Sequence, residues 1–436
     1  MIVRAREVSS FVAVSIRSLL GDGAETEPAA RRDLAVGGAV PGVVARPSDQ
    51  EELRACVECV AARGGALVAL GLGAHRDLGH PPRRYDVALS TTRLARTIEY
   101  TPADMTITVE AGLTVAALQE ALAAERQWLP LDPPLPGSTT VGGLIAADLS
   151  GPLRASQGRV RDFLIGISVV TADGRAASAG GRVVKNVAGY DLMKLFAGSL
   201  GTLAIVTEAT FKVRPLPAAT RCLALACQGM PASLTLAERL AETNIAALAA
   251  TLMWDLGDAA GTPVLVCLLG GVDAEIGAEC ERLLALAGET GAEVVLDAAG
   301  EEPDASGLSA ERRDFIRSAS GNLVVRMTAL PRRASRLAAA VAAEFADTPG
   351  RCLLDPRTGS VAVALELPDS EAAIGRLAAL ASTHGARLVV ERWPAALAAS
   401  IEVWWPLPAA LPLMRRMKSA LDPGGALAPG RFVGRI

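Results

Sequence analysis

Three histidines, His75, His80 and His384, are the residues of this chain best suited to proton transfer at neutral pH. They form neither an H-x-H nor an H-x-x-x-H pair, and no His–Asp–Ser set can be assembled around them. His75 and His80 flank a glycine loop, whereas His384 precedes Gly385, a position typical of a helix C-cap or a surface residue. The sequence therefore leaves the catalytic residue unassigned.

The cysteines offer little chemistry. They are odd in number and scattered, which argues against a disulfide framework. The one close pair, Cys56-x-x-Cys59, lies in EELRACVECVAARGG, where Leu53, Cys56, Val57 and Val60 form one apolar helical stripe. No second C-x-x-C accompanies it, so core packing is favoured over metal or redox chemistry, and we expect no metal site.

Glycines crowd the stretch Leu129–Pro215, between short β-branched segments. Glycine costs conformational entropy on folding, so this density favours backbone lying against a large, nucleotide-like ligand over a tightly turned antiparallel sheet. In PGSTTVGG, residues 136–143, small residues and hydroxyls precede a predicted helix at Leu144–Ala147. Free N–H groups at such a helix start would suit a diphosphate, and Gly142→Val should then block its approach.

A second glycine loop, Gly71-Leu72-Gly73-Ala74-His75, directly follows a predicted strand at Ala66–Leu70. A loop in this place offers consecutive backbone N–H groups to a phosphate. A single G-x-G also occurs in ordinary turns, and both interpretations stay open.

Composition excludes several classes of function. The charge is nearly balanced, with 43 basic and 47 acidic residues giving −4, and only 3% of the residues are aromatic, so nucleic-acid binding is not expected. No run approaches the roughly 18 uninterrupted apolar residues of a membrane span. The N-terminus resembles a signal peptide only faintly, because its apolar part carries serines and lacks an A-x-A site. We expect a cytoplasmic protein with a short amphipathic helix at its start.

The order of the predicted elements indicates an α+β chain. A polar lead, residues 1–40, precedes a two-lobed domain, 41–216, with lobes 41–130 and 131–216. After Pro215 strands and amphipathic helices alternate, which predicts a cap over 218–405 built from ferredoxin-like units. The last segment, 406–436, should return to the first domain.

Several motifs resemble one family. PPLPGSTTVGGLIAADLSGPLR, GRVRDFLIG and GGRVVKNVAGYDLMKLFAGSLGTLAIVTEATFKVRPLP are similar to the FAD-binding subunits of bacterial glycolate oxidase complexes, within the vanillyl-alcohol-oxidase (PCMH) type of FAD-binding proteins. The resemblance runs from about Val40 to Leu216 and returns in LDPGGALAPGRF, Leu421–Phe432. It implies a two-lobed PCMH-type FAD-binding domain with an α/β cap, and FAD as cofactor.

The resemblance also implies roles for particular residues. Gly71, Gly73 and Ala74 would contact the pyrophosphate of FAD, and His75 lies within one residue of the position where some relatives bind flavin covalently, although non-covalent FAD is favoured. The segment from Pro136 to Gly143 would contact the diphosphate and the dimethylbenzene side. The remaining contacts would come from Arg161 and Asp162 near the ring, and from Gly201, Thr202 and Ile205 at the ribityl or adenosine part. The residues implied in the Pro136–Gly143 segment are Pro136, Gly137, Ser138, Thr139, Gly142 and Gly143.

A cationic group in the same domain allows two interpretations. Arg159, Arg161, Arg182 and Lys185 are either solvated strand ends or positive charge near a flavin, where they would stabilise the anionic reduced ring. The first glycine loop departs from the family pattern at Leu70, Leu72 and Ala74. In the closing motif, Ala428 stands where Asn is common.

One family motif is missing. The 2-hydroxy-acid dehydrogenases of this family carry an HxGDGNxH-like cap motif that supplies a base and substrate-binding groups, and nothing similar occurs between Pro215 and Pro406. The resemblance therefore implies a FAD-bearing subunit that acts on a small 2-hydroxy acid together with a catalytic flavoprotein subunit and an iron–sulfur subunit. Membrane association would come only through those partners. The alternatives are a stand-alone FAD oxidoreductase and a structural subunit that has lost FAD.

Overall fold

The computed structural model describes residues 2–182, 191–257, 261–300 and 308–436. Lys185 and most of the KNVAGYD motif fall outside these residues. Within them the chain is α+β, with a four-stranded, a five-stranded and a two-stranded sheet in its first half and one large sheet in its second, which confirms the predicted fold class. No helix in the described ranges is long and apolar enough to cross a membrane.

The first lobe is built on a small mixed sheet. Its elements are α1 (Ile2–Leu20), β1 (Ala24–Glu25), α2 (Pro28–Asp33), β2 (Val43–Ala45), α3 (Gln50–Ala62), β3 (Leu67–Leu70) and β4 (Val87–Ser90). The strand order is β1-β2-β4-β3, and β2 and β3 both run parallel to β4. Val12 and Ile16 of α1 are fully buried in the same core as Cys56 of α3, so the polar lead packs on this lobe and Cys56 is a core residue.

Local sequence signals define the first helices well. Asp49 caps α3, since its carboxylate accepts the N–H of Glu52 at 2.8 Å. The glycine pair Gly64-Gly65 ends that helix, with Gly64 in the left-handed region that favours glycine. Both positions lie where the sequence predicts a helix start and a helix end.

The second lobe centres on an antiparallel sheet ordered β5-β6-β10-β8-β9. Its elements are β5 (Thr97–Thr101), β6 (Thr106–Glu110), α4 (Val115–Ala123), β7 (Gln127–Trp128), α5 (Val141–Ala147), α6 (Arg154–Gln157), α7 (Val160–Phe163), β8 (Leu164–Val170), β9 (Ala176–Gly180), α8 (Met193–Phe196), β10 (Ile205–Lys212) and β11 (Arg214–Pro215). Thr114 caps α4, as its position predicts. Helix α5 packs on β10 and β6, so its amino end lies against the sheet.

The cap contains two ferredoxin-like units. The first comprises β12 (Ala219–Ala226), α9 (Met230–Glu242), β13 (Ala247–Leu256), β14 (Val264–Gly271), α10 (Asp273–Thr290) and β15 (Glu293–Gly300). After α11 (Leu308–Ser318), the second comprises β16 (Leu323–Thr328), α12 (Pro331–Glu344), β17 (Gly350–Asp355), β18 (Ser360–Leu365), α13 (Ser370–Thr383) and β19 (Arg387–Arg392). Each has the β-α-β-β-α-β order.

Pairing of β13 with β17 joins the two units into one antiparallel sheet. Among the described residues its order is β15-β12-β14-β13-β17-β18-β16-β19-β20, where β20 is Trp404–Trp405. Helices α9, α10, α12 and α13 bury one face of this sheet in a large apolar core. The other face turns towards the first half of the chain and packs on Trp128 and Leu153 of the second lobe.

The C-terminal segment returns to the first lobe. It contains α14 (Leu411–Leu421), after which Leu427 forms a parallel bridge to Leu67 of β3. The carboxylate of Asp422 accepts the N–H groups of Ala426 and Leu427, and Lys418 donates to the same carboxylate at 2.5 Å. This buried arrangement holds the tail next to the strand that leads into the first glycine loop.

Candidate cofactor-binding site

An open cleft of about 790 Å³ lies between the two lobes. Its walls are the end of β3 with the loop that follows it, helix α5, the segment entering β10, and Arg431 of the tail. Most of the residues predicted to hold the cofactor line this cleft: Gly71, Gly73, Ala74, His75, Ser138, Gly142, Gly143, Gly201 and Ile205. Two segments that are far apart in the sequence are thus brought to one cavity.

The other predicted residues lie elsewhere. Pro136 and Gly137 precede the cleft-lining Ser138, and Thr202 is buried, its hydroxyl donating to the carbonyl of Ser199. Arg161 and Asp162 are exposed on α7, where the Asp162 carboxylate accepts the N–H of Arg159. Their assignment to the cofactor stays a prediction, and Lys185 lies outside the described residues.

The first glycine loop presents free donors. The backbone N–H groups of residues 71–75 donate to no acceptor among the described residues, although Arg76 and Leu78 just beyond them close turns onto Gly73 and His75. Gly73 adopts a left-handed φ of +79°, which a glycine tolerates without strain. Successive unpaired N–H groups form a concave site for an anion such as a diphosphate. Of the two interpretations of this loop, the structure supports the phosphate site.

The start of α5 behaves differently from the expectation. The N–H of Val141 donates to the carbonyl of Leu113, that of Gly142 to the carbonyl of Ala111, and that of Gly143 to the hydroxyl of its own cap, Thr140. The expected free N–H groups at this helix start are therefore already used. Helix α5 therefore lines the cleft with Gly142 and Gly143, whose N–H groups already donate to protein acceptors.

The glycines of the cleft fall into two groups. At some of them a side chain would meet protein atoms, and at others it would enter open space. A Cβ at Gly142 would lie 3.1 Å from Cβ of Ala111, the residue after β6, so a side chain there would meet protein and not a ligand, which corrects the expectation for Gly142→Val. A Cβ at Gly71 would collide with Thr140. At Gly143 a Cβ would meet only the Thr140 hydroxyl, at 3.3 Å, and at Gly201 nothing within 4 Å. Gly143 and Gly201 therefore leave space that a bulky cofactor can fill.

His75 is held neutral in the cleft. Its Nε2 lies 2.6 Å from the hydroxyl of Thr139, and burial, with the nearby charge of Arg317 from the cap, lowers the pKa of His75 to about 3. The Nδ1 atom is buried and has no partner among the described residues. An unprotonated ring nitrogen facing a cofactor cleft fits a hydrogen-bond acceptor or a nucleophile.

Arg431 is a cleft residue that the sequence did not single out. It is 4% exposed, and its guanidinium donates to the carbonyls of Arg76 at 3.0 Å and Leu78 at 2.6 Å. Burial lowers its pKa to about 10, so the side chain stays positively charged at neutral pH. It places one cation beside the glycine loop. The only sequence signal for it was its place in the closing GRF motif.

The free loop donors, the buried cation, and the open space at Gly143 and Gly201 suit the diphosphate of FAD. Apolar walls from Leu70, Ala146 and Val206 complete the cleft. Bound FAD would supply a two-electron acceptor.

Comparison with known proteins supports FAD as the cofactor. Residues 41–180 match the FAD binding domain, and residues 407–432 match the C-terminal domain of FAD linked oxidases. The chain is 42% identical to "Glycolate oxidase subunit GlcE" of Escherichia coli (strain K12) over 29% of its own length and 36% of that protein's. It is 34% identical to "D-lactate dehydrogenase" of Archaeoglobus fulgidus over 40% of its own length and 39% of that protein's. The chain thus spans less than half of the length of these curated relatives.

A solved structure shares the whole fold. The chain superposes on 4-ethylphenol oxidase from Gulosibacter chungangensis, in its isoeugenol complex, with a TM-score of 0.74 at 17% identity, covering 98% of this chain and 97% of the other. At this identity the likeness concerns the fold alone. By its matched domains and by its cleft, this chain is a FAD-binding protein that carries the FAD binding domain and the C-terminal segment of the FAD-linked oxidases.

Proposed function

We propose that this chain is the FAD-bearing subunit of a complex that oxidises a small 2-hydroxy acid such as glycolate. It takes part in electron transfer together with a catalytic flavoprotein subunit and an iron–sulfur subunit. The observation that carries the proposal is the cleft, with its unpaired N–H groups at residues 71–75 and the buried Arg431. The names of the partial relatives, a glycolate oxidase subunit and a D-lactate dehydrogenase, support the substrate class. A cytoplasmic location, with membrane contact only through partners, belongs to the same proposal.

The histidines support a subunit that depends on partners. Oxidation of a 2-hydroxy acid requires a group that accepts the hydroxyl proton close to the flavin. His80 is fully buried with its Nε2 3.1 Å from Glu402, and His384 lies at the end of α13 in the cap, so neither lines the cleft. His75 lines the cleft, but its lowered pKa makes it a weak base. The isolated chain should therefore turn over slowly.

The test compares the chain alone with the assembled complex. The purified chain should be yellow, with stoichiometric FAD. Excess glycolate or D-lactate should barely bleach its flavin under anaerobic conditions. When the partner flavoprotein and iron–sulfur subunits are added, reduction of an artificial electron acceptor should become rapid. A complex assembled with a Gly143→Leu chain, designed to exclude FAD, is the matched control and should stay slow.

The second candidate is a stand-alone FAD oxidoreductase, favoured by a fold that covers nearly the whole of 4-ethylphenol oxidase. Rapid bleaching of the single chain by either acid would favour this candidate and contradict the subunit proposal. A complex equally active with the Gly143→Leu chain would contradict any role of this chain's FAD.

A further inference from the structure

A second cavity, of about 520 Å³, lies at the junction of the second lobe and the cap. Its lining comes from residues 150–154, which follow α5, from α11, and from the cap strands β13, β16, β17 and β18. Thr251, Leu353 and Ala362 on those strands alternate with residues of the large cap core, so they occupy the opposite face of the sheet. Nothing in the proposed cofactor site uses this cavity.

The lining is strongly cationic. It carries four arginines and one carboxylate: Arg154, Arg312, Arg313, Arg326 and Asp355. The carboxylate is already satisfied, because Asp355 accepts the N–H groups of Arg357 at 3.0 Å and Thr358 at 2.9 Å. Arg326 pairs with Glu391, and Arg313 with Asp314. Two of the four arginines are therefore balanced by carboxylates outside the lining.

Arg154 is the cation without a partner. Its guanidinium makes no hydrogen bond or ion pair with any described residue, although it lines the cavity. Partial burial and the positive charges of Arg159 and Arg326 lower its pKa, while the carboxylates of Asp148 and Asp355 act in the opposite direction. A guanidinium without a hydrogen-bond partner can bind a carboxylate through two parallel N–H donors.

A buried hydroxyl independently points to a ligand. Thr251 is 0% exposed and lines the cavity, yet its Oγ1 has no hydrogen-bond partner within the described residues. A buried polar atom without a partner costs stability. A polar atom of a bound molecule would satisfy this hydroxyl.

The cavity lies next to the cofactor cleft. Ala147, in the last turn of α5, lines the cleft, and Ser150, three residues later, lines the cavity. Three residues span at most about 11 Å, so the two sites are neighbours. Asp132 holds the connecting loop, since its carboxylate accepts the N–H groups of Gly151 at 3.1 Å and Leu153 at 3.0 Å. The loop that carries Arg154 is thus fixed on the second lobe.

We infer that this junction cavity binds a small carboxylic acid anion, with its carboxylate on Arg154 and a second oxygen on the hydroxyl of Thr251. The restriction to hydroxy and oxo acids rests on the proposed function, whereas the carboxylate site itself does not. The site holds the acid next to the cofactor cleft.

Oxalate is the probe, because it is a small carboxylate that a flavin does not oxidise. The purified holoprotein is titrated with oxalate under anaerobic conditions, and binding is followed by calorimetry and by the flavin difference spectrum. Arg154→Gln should weaken oxalate binding at least about tenfold, because a charged hydrogen bond is lost. Thr251→Val should weaken it severalfold and raise the melting temperature of the ligand-free protein, since the unpaired hydroxyl is removed. Arg175→Gln, at an arginine whose side chain is 80% exposed, is the matched control and should bind as the wild type does.

The outcomes separate this inference from the proposed function. Oxalate binding that is equal in the wild type and in Arg154→Gln, or equally tight binding of inorganic phosphate, would overturn the carboxylate site. Binding that depends on Arg154, in a protein whose complex never oxidises glycolate, would uphold the site and reject the proposed function. Oxalate binding that does not depend on Arg154, in a protein whose complex oxidises glycolate, would reject the site and uphold the proposed function.

Discussion

The imidazole of His75 and the hydroxyl of Thr139 join the two glycine segments, with Nε2 and Oγ1 2.6 Å apart. The Thr139 hydroxyl donates its single proton to the carbonyl of Pro134, also at 2.6 Å. It can therefore only accept from His75, so Nε2 carries the proton and Nδ1 is left with its lone pair. One side chain thus fixes the tautomer of another and leaves the buried Nδ1 of a cleft residue unprotonated.

The first prediction concerns pH and His75. Its pKa is about 3 in the folded protein and about 6.5 when unfolded, so below pH 6.5 only the unfolded state takes up the proton. This contribution to stability is complete above pH 6.5 and falls by up to about 1.4 kcal/mol per pH unit between 6.5 and 3. Urea unfolding of His75→Gln, which keeps a donor for Thr139, should show a weaker loss at low pH. His384→Gln is the control. A decrease of the unfolding free energy with falling pH that is the same in His75→Gln as in the wild type would contradict the prediction.

The second prediction concerns the link between flavin and protein. Acid precipitation of the wild type should release FAD into the supernatant, because the cleft holds it by hydrogen bonds from residues 71–75 and by packing. The flavin absorbance of the supernatant and that of the redissolved pellet show how much FAD is released and how much stays with the protein. Flavin that stays with the wild-type pellet but leaves with His75→Ala would instead identify His75 Nδ1 as the atom of a covalent bond.

The third prediction concerns Gly143. Gly143→Leu should fold, since leucine favours helix over glycine by roughly 0.5–1 kcal/mol, but its side chain would enter the cleft. FAD content after purification should fall at least tenfold, by an order-of-magnitude estimate for a blocked site. Gly277→Leu, in α10, where a Cβ meets nothing within 4 Å, is the matched control. Equal FAD content in both variants would show that the cofactor does not approach α5 here.

The fourth prediction concerns Arg431. Arg431→Met should lower the free energy of unfolding by about 2–4 kcal/mol, because the carbonyls of Arg76 and Leu78 lose their buried donor. It should also weaken FAD binding, since the glycine loop loses its support from the tail. Denaturant titration and FAD titration measure the two effects, and the exposed Arg415→Met on α14 serves as the reference. Unfolding and FAD binding that match the reference would refute the role of Arg431.

The sequence by itself determined the local features of this protein. Asp49 and Thr114 cap helices by accepting an N–H three residues ahead, and such contacts depend only on near neighbours. Strand and helix periodicity likewise specified the two ferredoxin-like units of the cap. The glycine motifs also pointed to two segments that line one cleft, because a loop after a strand needs particular residue types.

The tertiary structure alone decided which groups remain free. Gly142 and Gly143 are adjacent in a glycine pair, yet Ala111, just after β6, accepts the N–H of the first and lies against its Cβ position, while a Cβ at the second would meet only the Thr140 hydroxyl. Arg431 reaches carbonyls more than 350 residues away in sequence, and the junction cavity joins Arg154 to Thr251. Such pairings depend on strand register and on the packing of the cap against the second lobe, because a side chain's partner is set by distance in space and not along the chain.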